Sequence, residues 1–201
     1  GVQKTSDKIA FSTQLGYQAS EKWYYTAMAD LNTQFYKGYN YPDKSHYISK
    51  FFAPAYSNIS LGMDFRPKSN YSLYLSPIAG KLTFVEDDYL SKEGAFGVDP
   101  GDRFRAEIGA YIKAKAEQKI MENVNLITSV DFFTPYDKQF GNVDVNWDVL
   151  INMKINKYLS ATLNTTLKYD NDVKTFNDEG EKHGAKVQFK EVLGIGVAYN
   201  F

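Results

Sequence analysis

Residues 187–201 read Val187-Gln-Phe-Lys-Glu-Val-Leu-Gly-Ile-Gly-Val-Ala-Tyr-Asn-Phe201, and the second half of this stretch decides the fold. From Leu193 on, every second residue is large and apolar: Leu193, Ile195, Val197, Tyr199 and Phe201. Gly194, Gly196, Ala198 and Asn200 stand between them. A period of two means a strand with one greasy face and one small or polar face. Such a last strand suits a closed antiparallel barrel in a lipid bilayer, where a sheet cannot leave a free edge.

The same alternation recurs upstream. Phe104, Ala106, Ile108, Ala110, Ile112, Ala114 and Ala116 alternate with Arg105, Glu107, Gly109, Tyr111, Lys113, Lys115 and Glu117. A helix would spread these charges around its circumference, so the stretch reads as a strand. Nine strands are expected in all. The first covers about 8–17 and the second about 23–36. The third carries Ile59 to Phe65, and the fourth runs from Tyr71 to Phe84. The fifth is the stretch just described, and the sixth shows Val124, Leu126, Val130 and Phe132. The seventh runs from Val143 to Ile155, the eighth from Leu159 to Tyr169, and the C-terminal stretch is the ninth. The fourth is interrupted near 77–80 and resumes with Leu82 and Phe84, and Pro77 within it predicts a bulge or an exposed position there.

Connections alternate short and long, as in barrels with tight turns on one side of a membrane and longer loops on the other. Across each short turn the greasy faces keep parity: Tyr17 with Trp23, Phe65 with Tyr71, Ala116 with Leu126, Ile155 with Leu159. Residues opposite one another in an antiparallel pair share a face, so matched parity is what true hairpins require.

Composition bounds the function. The 201 residues fit one domain, 1–201. A net charge of −1 gives no basic field for nucleic acid. The lack of cysteine excludes disulfides and thiolate metal sites. No apolar run reaches the roughly 18 residues of a membrane helix. That leaves barrel strands open, since they show lipid only alternate residues.

Three features turn the greasy face outward. The expected strands, at about 10–16 residues, exceed the usual length in soluble sheets and fit a tilted bilayer crossing. Tyr17, Trp23, Tyr25, Tyr71 and Tyr199 gather toward the short turns. Phe35, Phe84, Phe104, Phe132, Trp147 and Phe189 gather toward the long loops, which makes two aromatic girdles. The opposite face mixes Gly, Ser, Thr and Asn with charge, as a wet interior would. We therefore expect an all-β, antiparallel transmembrane β-barrel of outer-membrane type, surrounded by lipid and lipopolysaccharide. Nine strands put both chain ends on opposite sides of the membrane. An odd number of strands before Gly1, or strands from another chain, is expected to close the ring.

The stretches "KTSDKIAFSTQLGYQASEKWYYTAMADLNTQF", "GYNYP", "GAFGVDPGDRFRAEIGAYIKAK", "VDVNWDVLINMKINKYL" and "VQFKEVLGIGVAYNF" together cover nearly the whole chain. In them the sequence resembles an outer-membrane family of the Bacteroidetes that carries only a domain-of-unknown-function label. The resemblance implies a bacterial outer-membrane location, further N-terminal strands and twelve strands in the full-length protein. It brings no activity, cofactor or catalytic residue.

Chemistry is sparse. His46 and His183 are the only histidines, both in expected loops, and no nucleophile or ligand spacing surrounds them. Glu86, Asp87, Asp88, Asp99 and Asp102 cluster in one loop; Asp170, Asp172, Asp178, Glu179 and Glu181 cluster in another. The calcium-hand pattern fails there because Thr175 stands where a glycine is needed. Both loops read as solvated.

The sharpest internal feature is a set of lumen-facing charges: Arg105, Glu107, Lys113, Lys115 and Glu117, with Asp144, Asp148, Lys154 and Lys168. Signs interleave, so an ion-pair network is favoured over a selective channel. Tyr39, Tyr41, Tyr47, Phe51, Phe52 and Phe96 offer loop aromatics for partner or glycan contact, or for plugging the mouth. The expected function is a non-catalytic binding or scaffold subunit of an outer-membrane assembly. A small-solute channel, a loop-borne hydrolase and a soluble β-protein are the alternatives.

Overall fold

The computed structural model describes residues 7–137, 141–171, 174–176 and 182–197. Nine long strands form one sheet in sequence order. They are β1 (Ile9–Gln18), β2 (Trp23–Thr33), β3 (Ala55–Lys68), β4 (Tyr71–Phe84), β5 (Phe104–Met121), β6 (Val124–Pro135), β7 (Asp144–Lys154), β8 (Leu159–Tyr169) and β9 (Gln188–Val197). Every neighbour pair is antiparallel. The sheet is open. Among the described residues β1 and β9 do not pair with each other, and each has one ladder neighbour. Tyr199 and Phe201 lie outside the described residues.

Burial runs opposite to that of a water-soluble sheet. Leu193 is 67% exposed and Ile195 76%, and Leu15, Leu61, Ile108, Ile112 and Trp147 share this exposed apolar face. The other face is polar and covered: Thr26, Ser60, Ser76, Thr83 and Glu107 are buried, and Asp64 is 1% exposed. The sheet curls around that face, because side chains meet across it. Lys81 on β4 bonds Asp144 on β7 and Asp170 beyond β8, and Gln14 on β1 bonds Asp64 on β3.

β4 carries the expected bulge. Its register shifts between Ser76 and Ala79 against β5, and between the matching positions against β3. The Ser76 hydroxyl donates to Leu61 O at 2.7 Å and lies 2.8 Å from Ile78 O, which satisfies backbone groups the bulge leaves without ladder partners. The extra residue reverses parity. Leu73 and Leu75 point outward before it, and Ile78, Leu82 and Phe84 after it. Gly62 faces the bulge, and a Cβ there would stand 2.2 Å from Leu75 O, so no larger residue fits.

Rows of paired residues climb steeply across the sheet. One row starts at Tyr17, near the turn end of β1, and passes through Tyr25, Met63, Leu75, Ile112, Phe132, Val145 and Tyr169. Since Lys168 pairs with Gln188, this row reaches β9 at its opposite, loop-side end. A climb of β9's ten residues over eight strand steps corresponds to a strand tilt of roughly 40° at standard strand spacings.

The long loops are structured beyond expectation. A hairpin of Gly38–Tyr39 with Tyr47–Ser49 follows β2, and one of Lys174–Phe176 with Lys182–Ala185 precedes β9. The loop after β4 holds a helix, α1 (Asp88–Lys92), and a 3₁₀ turn at Ala95–Gly97. None of the described helices is long and apolar enough to cross a membrane.

Candidate functional site

Two regions hold the chemistry: the concave polar face and the cap built by the loops at 43–55 and 86–103.

On the concave face, each strand contributes alternate residues, and charges pair across strands. Toward the turn side, Asp64 Oδ2 accepts from Gln14 Nε2 at 3.1 Å and from Arg66 Nε at 2.7 Å. The Arg66 guanidinium lies 5.0 Å over the Tyr24 ring. Further along, the Tyr74 hydroxyl donates to Ser60 Oγ at 3.0 Å, and its ring meets Tyr111 edge-on at 6.1 Å. Ala79 and Phe133 complete that cluster, with Met28 packed against it. Asp30 accepts from Asn32 and Asn58. Asn146 Nδ2 bridges Asp131 and Asp148, at 3.1 Å to each, and Thr166 donates to Asp148 at 2.6 Å. Lys113 lies 3.5 Å from Asp131. Toward the loops, Lys81 Nζ stands 2.6 Å from Asp144 and 2.8 Å from Asp170. Arg105 pairs with Glu107 at 2.9 Å and donates to Gly97 O at 3.1 Å.

Of the nine charges singled out from the sequence, Arg105, Glu107, Lys113, Asp144 and Asp148 are thus tied into bonded clusters. Lys115, Glu117, Lys154 and Lys168 are exposed. Sequence reasoning missed Lys81, the cation with two carboxylate partners. The bulge moves odd-numbered β4 residues to the concave face, and a strand that resumes with Leu82 and Phe84 on its greasy side already puts Lys81 on the polar one, where it went uncounted among the charges. Asp131 was legible, since it alternates with Val130 and Phe132.

The cap corrects the reading of the first acidic loop as solvated. Asp87 is buried. It caps α1 by accepting from the Leu90 amide at 2.8 Å, and it also accepts from Tyr47 at 3.0 Å and Lys50 at 2.5 Å. Burial pushes its carboxyl up, but the bonds from Lys50, the Leu90 amide and Tyr47 outweigh that and hold it below the ordinary range. The same contact raises Lys50 and Tyr47 above theirs. Ala53, Val85, Leu90 and Val98 form a buried apolar core beneath, with Tyr47, Ala95 and Phe96 against it. Arg103 pairs with Asp88 and, at 3.6 Å, with Glu86.

Of the two histidines, His46 stacks on Tyr89 at 5.9 Å, and His183 lies on the strand Lys182–Ala185. Among the described residues no three His, Cys, Asp or Glu side chains converge as a metal site. Asp172, Asp178, Glu179 and Glu181 of the second acidic loop lie outside the described residues. Asp170 is a partner of Lys81.

A family model described as "Protein of unknown function (DUF3078)" matches residues 1–39, the stretch that holds β1 and β2. No curated protein and no solved structure matches the chain.

Proposed function

We propose that this sheet is the wall of a bacterial outer-membrane β-barrel that works without catalysis, as a binding or scaffold subunit of an outer-membrane assembly. One observation carries the reading: the strands expose Leu, Ile, Phe and Trp along one face and bury Asp, Glu, Ser and Thr on the other. In water, an apolar surface running the length of nine strands far exceeds the few hundred Å² that soluble monomers tolerate. In acyl chains the same surface is solvated, and the polar face takes the interior. The steep row climb agrees, since membrane barrels tilt their strands by about 35–45°.

Closure follows from direction. β1 and β9 both run from the loop side to the turn side. An antiparallel ring therefore needs an odd number of further strands between them, from elsewhere in the protein or from a partner chain. The resemblance implies three, and a Bacteroidetes source. The interleaved, bonded charges favour a structural interior over a channel, because selective pores rely on rings of one sign.

The test is the behaviour of the full-length protein. Refolded in detergent, it should run faster on gels unheated than boiled, resist protease along the strands, and fractionate with outer membranes. Solubility as a monomer without detergent would overturn the bilayer reading. Conductance above background in planar bilayers would favour the channel over the scaffold.

A further inference from the structure

We infer that the cleft between the end of β2 and the cap binds a neutral oligosaccharide. It has a volume of about 780 Å³ and is lined by Phe35, Tyr36, Tyr39 and Phe51, with Lys37 and Glu86 among them. That volume lies within the range of small-molecule sites.

Three observations converge. First, Phe35, Tyr36 and Phe51 are exposed, although the cap has an apolar core of its own that leaves them out. Exposed rings grouped on one cleft mark a contact surface. Second, the walls are fixed in place. Asp7 Oδ2 accepts from the Phe35 and Tyr36 amides at 3.1 and 2.6 Å. Lys50 and Ala53 exchange backbone bonds of 2.8 and 3.0 Å, which close the turn that presents Phe51. Phe52 sits at φ +53°, a region bulky residues avoid, pinned by its amide on Thr33 Oγ1 at 3.1 Å and by the Glu86 amide on its carbonyl at 2.9 Å. A site fixed before binding loses little order when a ligand arrives.

Third, the polar groups are mixed in kind and balanced in charge. Lys50 is neutralised by Asp87 at 2.5 Å, and Glu86 lies 3.6 Å from Arg103. A cleft without a dominant sign does not select an anion. A purely apolar ligand would strip water from the Lys37 ammonium, which lies 4.8 Å over the Tyr47 ring, and from the half-exposed Glu86 carboxylate, without replacing those bonds. A pyranose ring meets both demands: its C–H face packs on an aromatic plate, and its hydroxyls accept from lysine and donate to glutamate.

The inference extends the binding half of the proposal above and does not need the bilayer. Isothermal titration of the full-length protein in detergent micelles with maltohexaose, cellohexaose, mannohexaose and xylohexaose, and with an acidic oligogalacturonate, tests it. At least one neutral hexaose should bind saturably. Phe51→Ala and Tyr36→Ala should each weaken that binding roughly tenfold or more, while Phe189→Ala on the strand face leaves it unchanged. Circular dichroism and heat-modifiable mobility check that each variant folds, and Tyr36, an exposed side chain, serves if Phe51→Ala does not. Failure of every neutral sugar to bind, tighter binding of the acidic one, or equal affinity in all variants would overturn the site. None of those results would alter the gel and fractionation behaviour that bears on the barrel.

Discussion

In the cap, Ala53, Val85, Leu90 and Val98 are buried while Glu86, Asp88 and Lys92 face out. Along the strands, Leu193, Ile195 and Ile108 face out while Ser60, Asp64 and Glu107 are buried. Both arrangements occur in one chain and meet at the loop-side ends of β3 and β4. The cap follows the rule for water, with apolar area removed from solvent. The strands invert it. Water alone does not favour both arrangements, and the bilayer proposed above would account for the contrast by a change of medium at that boundary.

The strongest way to break the comparison is a charge on the strand face. Ile112 is central in β5 and exposed. Ile112→Arg should cost roughly 2–4 kcal/mol for unfolding in lipid vesicles, as measured by denaturant titration. An exposed position in water would change by no more than about 0.5 kcal/mol, and a result in that range would put the strands in water too. Next is Leu90→Ala, which opens the cap's own core and should cost about 2 kcal/mol there. Hydrogen exchange should quicken across 43–55 and 86–103 while the β5–β8 ladder keeps its protection; equal loosening of both would show that the two regions are one cooperative unit.

The smallest effect is one of pH. The Asp87 carboxyl is depressed in the folded cap, so its contribution is present above the unfolded value of about 3.9 and fades as pH falls through the lower folded value. Lys50 is raised, so its contribution holds below about 10.4 and fades as pH rises through the higher folded value. Protease nicking of the cap should therefore be slowest between these limits. Asp87→Asn should flatten the acid limb, and an unchanged acid limb in that variant would remove Asp87 from its role.

The strands of the main sheet were legible because alternation over ten or more residues is a strong signal: nine long strands were expected, and among the described residues nine make up that sheet, with the four short loop strands unforeseen. The hairpin parities also held. Tyr17 pairs with Tyr25, and the Ile155 amide bonds Leu159 O at 3.0 Å. Pro77 signalled a bulge or an exposed position, and Leu82 and Phe84 beyond it put Lys81 on the polar face, but nothing in the sequence marks that lysine's two distant carboxylate partners, Asp144 and Asp170. The cap was illegible for another reason. α1 has five residues, too few for a 3.6-residue period to emerge, and its cohesion comes from contacts between distant loops. Asp87 before Asp88-Tyr-Leu carried a helix-start signal, yet the surrounding acidity favoured a solvated reading.

The shared heading of β1 and β9 also bears on self-association. Two copies inserted the same way up would bring an inward-running rim strand against another inward-running one, so every junction of such a ring would be parallel. A homo-oligomer built seam to seam therefore forgoes the antiparallel pairing used everywhere else in the sheet. On the barrel reading proposed above, the opening would be filled by a different stretch of polypeptide, whose two outer strands would both run from the turn side to the loop side.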